Sequence, residues 1–98
     1  MIKLAELLVT QTEELRHAII ELKNLDQMRD ISNSLVRVNS IENHADDIFD
    51  NAVARLFDDE TDAIKIIKTK EILSALETAT DKCEDAANVI ESIVVKMA

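Results

Sequence analysis

The sequence contains no glycine and no proline, so the two residue types that most often interrupt helices are missing. Tryptophan and tyrosine are also absent, and aromatic residues make up only 2% of the chain, so any core must be aliphatic. A chain without helix breakers that is rich in leucine, isoleucine, alanine, glutamate and lysine favours an all-α fold. Its 98 residues are enough for one small domain.

Basic residues are scarce, since 11 lysines and arginines face 20 aspartates and glutamates and give a net charge of −9. Nucleic-acid binding needs a basic face, so this balance argues against it and is compatible with cations or a basic partner. No stretch approaches the roughly 18 apolar residues of a membrane span. Lys3 and Glu6 in the first turns argue against a signal peptide. The single cysteine, Cys83, excludes an internal disulfide and suits a reducing cytosol, so we expect a cytoplasmic protein.

Three stretches carry apolar residues at the alternating three- and four-residue spacing of helices. They predict helices over residues 2–23, 28–57 and 63–97, separated by turns at residues 24–26 and 58–62. Asparagine and aspartate favour the first turn, and Thr61 or Asp62 is expected to cap the third helix. Such short connections predict an antiparallel up-down-up three-helix bundle that forms a single domain over residues 1–98.

Each predicted helix has one apolar seam. The seam residues are Leu4, Leu8, Gln11, Leu15, Ala18 and Leu22 on the first helix; Ile31, Leu35, Val38, Glu42, Ala45, Phe49, Ala52 and Leu56 on the second; and Ile66, Leu73, Leu76, Thr80, Cys83, Ala87, Ile90, Val94 and Met97 on the third. The third helix has a second apolar line, formed by Ile72, Ala75, Ala79, Ala86 and Ile93. This surplus predicts that the bundle associates with itself or with a partner segment outside it.

Glu42 occupies a position in its own apolar seam, and burying an isolated charge is costly, so this carboxylate needs a physical reason. Asp46 follows one turn later on the same face, and Glu77 and Asp81 repeat the spacing on the third helix. In an antiparallel hairpin that turns near Thr61, residues whose numbers add up to the same total lie level. Glu42 with Asp81, and Asp46 with Glu77, satisfy this condition. We call these four residues the acidic cluster.

Four converging carboxylates repel one another unless a positive charge lies between them. That charge would come from Arg37, Arg55 or Lys82, or from a metal ion. An oxygen-only site suits Mg²⁺, Ca²⁺, Mn²⁺ or iron. His44 lies two residues from Glu42 and therefore points elsewhere, and the glutamate–histidine signature of ferritin-like di-iron proteins is missing.

Several stretches carry a family resemblance, namely SIENHADD at residues 40–47, LF at 56–57, IKTKE at 67–71 and LETATDKCEDAAN at 76–88. They resemble PhoU-like proteins, in particular the branch of phosphate-transport regulators and accessory proteins of Pit-type phosphate transporters. Members of that family usually consist of two three-helix repeats that together make six helices. From about Asp30 onward this chain is similar to the second repeat alone, so we expect a fragment or an unusually short member.

The resemblance implies that each repeat carries a motif of an acid, three residues and an aspartate on two of its helices. Such motifs bind multinuclear metal clusters, with iron or zinc among the metals, and here they fall on the acidic cluster. We expect Glu84, Asp50 and Asp85 to act as additional ligands or to orient the ligands. The implied function is a metal-binding, non-enzymatic regulatory or accessory protein at the cytoplasmic face of a phosphate transporter or its signalling complex.

Other interpretations remain open. Acids four residues apart are common on solvated helix faces, so a metal-free helical oligomerisation module is the main alternative. A carboxylate-bridged redox enzyme ranks last because no histidine ligands are placed for it. Cys83 is expected to be a small core residue, and His17 and His44 to be ordinary histidines without a role in a site.

Overall fold

The computed structural model describes residues 2–22 and 28–97, which form three helices. Helix α1 spans Ile2–Glu21, α2 spans Met28–Asp59 and α3 spans Ala63–Met97. Each helix packs against both others, and the molecule measures 55 × 16 × 16 Å along its principal axes. The predicted all-α three-helix bundle is therefore confirmed.

The helix boundaries agree closely with the expected ones. Helix α2 continues to Asp59 rather than ending at residue 57, and α3 has the expected bounds. Helix α1 ends at Glu21, while the expected end at residue 23 and the turn at residues 24–26 lie outside the described residues. Within those residues, none of the helices combines the length and apolar character needed to cross a lipid bilayer.

The turn between α2 and α3 is held by two acidic side chains. Asp62 Oδ1 accepts hydrogen bonds from the backbone N–H groups of Ile64 at 3.0 Å and Lys65 at 3.4 Å. Glu60 Oε1 accepts from the N–H groups of Thr61 and Asp62, each at 3.2 Å. Asp62 is thus the cap of α3, and a turn this short fixes the level of α3 relative to α2.

We expect Asp62→Ala to lower the free energy of unfolding by about 1 kcal/mol, the usual effect of removing a helix N-cap. Urea denaturation followed by circular dichroism measures this change. Asp58→Ala is the matched control, since it removes the same charge from the last turn of α2, where a carboxylate opposes the helix dipole. Equal destabilisation by both substitutions would contradict the capping role.

The core consists of two apolar clusters that follow each other along the bundle. The first contains Ala18, Ile31, Leu35, Val38, Cys83, Ala87, Ile90 and Val94. The second contains Leu4, Ala45 and Leu73, with partly buried neighbours that include Phe49, Ala52 and Leu76. Along α2 the boundary between the clusters falls at Glu42, and along α3 it falls at Thr80; both residues are buried. Polar groups therefore occupy the level at which the apolar core is interrupted.

The second apolar line of α3 is only partly covered. Ile72 is 50% exposed and Ile93 is 38% exposed, and Ala75 is exposed as well, whereas Ala79 and Ala86 are half-buried. The described part of the chain thus leaves much of this line accessible, as expected if another helix packs there. Self-association itself stays a prediction.

Candidate metal centre

The acidic cluster comes together between α2 and α3. Glu42 and Asp46 on α2 and Glu77 and Asp81 on α3 each place one carboxylate oxygen so that all four oxygens lie within 4.8 Å of one another. Two ligands of one ion are separated by at most twice the metal–oxygen distance, which is about 4 Å for Mg²⁺ and about 5 Å for Ca²⁺. Oxygens at this spacing could hold a metal ion.

Burial and mutual repulsion shift the titration of the two glutamates. The pKa of Glu42, which is only 7% exposed, is raised to about 8, first by burial and then by side-chain hydrogen bonds with Asp81, Glu84 and Asp46. The pKa of Glu77 is raised to about 7 by burial and by hydrogen bonds with Asp46 and Asp81. A hydrogen bond between two carboxyl groups requires a proton on one of them. The two glutamates thus keep their protons to a higher pH than ordinary carboxyl groups do, and a bound cation would compete with those protons.

Arg37, one of the three bases that could have neutralised the cluster, is engaged elsewhere. Arg37 forms an ion pair with Glu14 at 2.9 Å and donates a hydrogen bond to Ser34 Oγ at 3.2 Å. Arg55 and Lys82 are exposed. Among the described residues, no ion pair joins a lysine, arginine or histidine to any carboxylate of the cluster. Burial and neighbouring acids thus all act to raise the two pKa values.

The three additional ligand candidates differ in position. Glu84 is half-buried and close enough to Glu42 to raise the pKa of that carboxyl, whereas Asp50 and Asp85 are exposed; all three lie outside the acidic cluster itself. Helix geometry explains the difference. Asp50 lies eight residues after Glu42, so its side chain is rotated by about 80° from Glu42 around the helix axis. Glu84 lies seven residues after Glu77, so its side chain is rotated by only about 20° from Glu77. The roles of these three acids stay predictions.

Histidine and cysteine do not contribute to the cluster. His17 and His44 are exposed. Cys83 is buried within the first apolar cluster, and burial raises the pKa of its thiol, which opposes the thiolate form needed for metal binding. The donor set is therefore made of carboxylate oxygens, the ligands preferred by Mg²⁺, Ca²⁺ and Mn²⁺ and acceptable to iron.

One buried polar residue near the cluster was not assigned a role from the sequence. Gln11 on α1 is fully buried, and its Nε2 group donates hydrogen bonds to the backbone carbonyls of Val38 on α2 and Thr80 on α3. The sequence signal was its place as the polar exception in the apolar seam of α1. No periodicity argument shows which groups such a residue contacts.

The fold and the cluster define a helical bundle with an acidic interhelical site, and one comparison points to a group of related proteins. Over 79 residues the chain is 34% identical to UPF0111 protein YkaA of Bacillus subtilis (strain 168). This match covers 81% of the chain and 38% of the relative, so the chain spans well under half of the length of that protein. UPF0111 proteins are PhoU-related, which supports the resemblance noted in the sequence at the level of the family. No family model and no solved structure matches the chain.

Proposed function

We propose that this chain is a metal-binding, non-enzymatic regulatory or accessory protein of phosphate transport. The observation that carries the proposal is the convergence of four carboxylate oxygens from two helices within 4.8 Å, without a base paired to any of them among the described residues. The phosphate-related role is supported by the PhoU-like resemblance and by the similarity to a UPF0111 protein. On this proposal the chain forms a single PhoU-like repeat.

The acidic cluster would supply the direct ligands, two from each helix. Glu84, through its hydrogen bond with Glu42, would orient that ligand, and Asp50 and Asp85 would contribute from the exposed rim. Metal binding would displace the protons held by the raised pKa values of Glu42 and Glu77, so affinity should increase with pH. A cation held by both helices would also fix α2 and α3 against each other. Oxygen ligands favour magnesium, calcium, manganese or iron, and the resemblance adds zinc.

Direct metal binding tests the proposal. The protein is stripped with chelator, dialysed separately against Mg²⁺, Ca²⁺, Mn²⁺, Fe²⁺ and Zn²⁺, and its metal content is measured by elemental analysis. We expect at least one of these cations to be retained at one or more equivalents per chain. The double variant Asp46→Asn/Asp81→Asn should retain none, because it removes one carboxylate from each helix. The matched control Asp47→Asn/Asp58→Asn neutralises two exposed acids and should bind as the wild type does. Wild-type protein without stoichiometric metal would refute the proposal.

The partner would be the cytoplasmic face of a membrane phosphate transporter or its signalling complex. A functional assay compares phosphate uptake in cells that express the wild-type gene or the Asp46→Asn/Asp81→Asn variant in place of the native copy. Uptake should respond to external phosphate differently in the two strains. Identical uptake at every phosphate level, with wild-type metal binding established, would remove phosphate transport from the proposal and leave the metal site intact.

A metal-free oligomerisation module is the second candidate, and the exposed apolar surface favours it. The exposed large apolar side chains are Ile2, Val9, Ile19, Ile20, Val36, Phe57, Ile64, Ile67, Ile72, Val89, Ile93 and Val95. Surfaces of this kind are often protein–protein interfaces. Analytical ultracentrifugation gives the oligomeric state, and a melting curve that chelator leaves unchanged would favour this candidate over the first.

A further inference from the structure

Gln11 links α2 and α3 at the level where the carboxylates of the acidic cluster meet. Its Nε2 group donates to the carbonyl of Val38 at 3.3 Å and to the carbonyl of Thr80 at 3.0 Å. In an α-helix a carbonyl also accepts the N–H four residues later, so the carbonyl of Val38 belongs to the turn that carries Glu42. Thr80 directly precedes Asp81 on α3. One side-chain amide from α1 thus connects the turns that carry these two acids.

The same side chain is a poor choice for stability alone. Its Oε1 atom is buried and has no hydrogen-bond partner among the described residues, and an unpaired buried acceptor destabilises the folded state. The two carbonyls already accept bonds within their helices, so they do not need the amide to be satisfied. Turning the amide over would bring Oε1 against two carbonyl oxygens, which fixes its orientation. Leucine or methionine would fit this position of the α1 seam without an orphaned oxygen.

We propose that Gln11 is a positioning residue of the metal centre: the short turn sets the level of α3 against α2, and the Gln11 amide holds the two helices at a fixed distance at that level, which sets the separation of the Glu42 and Asp81 carboxylates. The inference rests on the proposed metal-binding function. Helix α1 contributes no carboxylate to the acidic cluster, so the Gln11 amide is its direct polar contact with the two turns that carry Glu42 and Asp81. Fixing the separation of the ligands favours one ion size over another, because Mg²⁺ and Ca²⁺ differ by about 0.4 Å in their distance to oxygen.

Gln11→Met tests the inference, because methionine has nearly the same length and cannot donate a hydrogen bond. Two quantities are measured: the melting temperature of the metal-free protein, and the dissociation constants for Mn²⁺ and Ca²⁺ by calorimetry. We expect the melting temperature to rise by several degrees, binding of the tighter ion to weaken about tenfold, and the ratio of the two constants to move toward one. A purely structural residue would shift stability and affinity in the same direction. Leu15→Met, in the same seam, is the control and should leave the ratio unchanged.

Each outcome decides the question. Wild-type binding together with unchanged constants in Gln11→Met overturns the positioning role and leaves the proposed metal site standing. A variant that is less stable than the wild type, or that fails to fold as both Gln11→Met and Gln11→Leu, makes Gln11 a structural residue and also overturns the inference. Wild-type protein that binds neither ion nor any other cation refutes the metal site, and the positioning role with it.

Discussion

The metal-free protein should lose stability as the pH rises from about 4.5 to about 8, the interval between the ordinary and the raised pKa of Glu42. The opposite trend, a gain in stability above pH 4, is typical of proteins whose carboxylates are paired with bases. Here Glu42 alone accounts for an expected loss on the order of 5 kcal/mol, at about 1.4 kcal/mol per pKa unit, and Glu77 acts in the same direction. Small domains are stable by only about 5–15 kcal/mol, so a loss of this size should be a large fraction of the stability of the metal-free bundle.

The direction of this pH dependence follows from the number of protons bound in the folded and unfolded states. Glu42, with a pKa of about 8, and Glu77, with a pKa of about 7, hold protons in the folded state at a pH where an unfolded chain, with pKa values near 4.5, has released them. The folded state therefore binds more protons, and stability falls with pH throughout this interval. The groups that face them are Asp46, Asp81 and Glu84, all acids, so no neighbouring base reverses the effect. The two glutamates titrate together, and the transition belongs to the pair.

Urea denaturation at half-unit steps from pH 4.5 to pH 8.5, in the presence of chelator, measures this dependence. The double variant Glu42→Gln/Glu77→Gln keeps the size of both side chains and removes their protons, so its stability should change far less with pH. Glu6→Gln/Glu71→Gln, at two exposed positions, controls for the change in net charge and should keep the wild-type slope. An equally steep decline in the Glu42→Gln/Glu77→Gln variant would show that other groups cause it.

The level at which the acids of α2 and α3 meet could be predicted because few variables determine it. Both helices are unbroken, and the turn capped by Asp62 is short, so counting residues from the turn gives the height of every side chain. Glu42 in an apolar seam then identified the face that points inward. These two facts are enough to predict that the four members of the acidic cluster meet at one level between α2 and α3.

The other features of the site depend on contacts that cannot be obtained by counting residues from the turn. Helix α1 joins α2 through residues outside the described part of the chain, and its register follows from packing, so the contact of Gln11 with Val38 and Thr80 could not be derived from spacing. Whether a base pairs with the cluster could not be predicted either, because long side chains such as Arg37 reach several neighbours. In the structure Arg37 turns to Glu14 on α1. Which acids carry protons depends on these contacts.

Neutralising one acid on each helix should make the variant more stable than the wild type without metal and less stable than the wild type with metal. Without metal at pH 7.5, Asp46→Asn/Asp81→Asn should melt several degrees above the wild type, because it relieves repulsion among buried and half-buried acids that form no ion pair with a base among the described residues. With a cation at 100 times its dissociation constant, the wild type gains about 2.7 kcal/mol, and the variant gains nothing. Since 1 kcal/mol shifts the melting temperature of a domain of this size by about 4–8 °C, the wild type should then melt about 10 °C or more above its metal-free form.

Thermal melts of both proteins, with chelator and with the cation that elemental analysis identifies, test whether the order of their melting temperatures reverses. Asp47→Asn/Asp58→Asn removes the same two charges from exposed positions and should follow the wild type in both conditions. If Asp46→Asn/Asp81→Asn is less stable than the wild type without metal, the aspartates are held by favourable contacts rather than strained by repulsion. If it is still stabilised by the cation, the ion binds outside the acidic cluster. The exchange of order is decisive because a surface ion pair and a structural acid each predict destabilisation in both conditions, and only a cation site built from mutually repelling carboxylates predicts opposite signs.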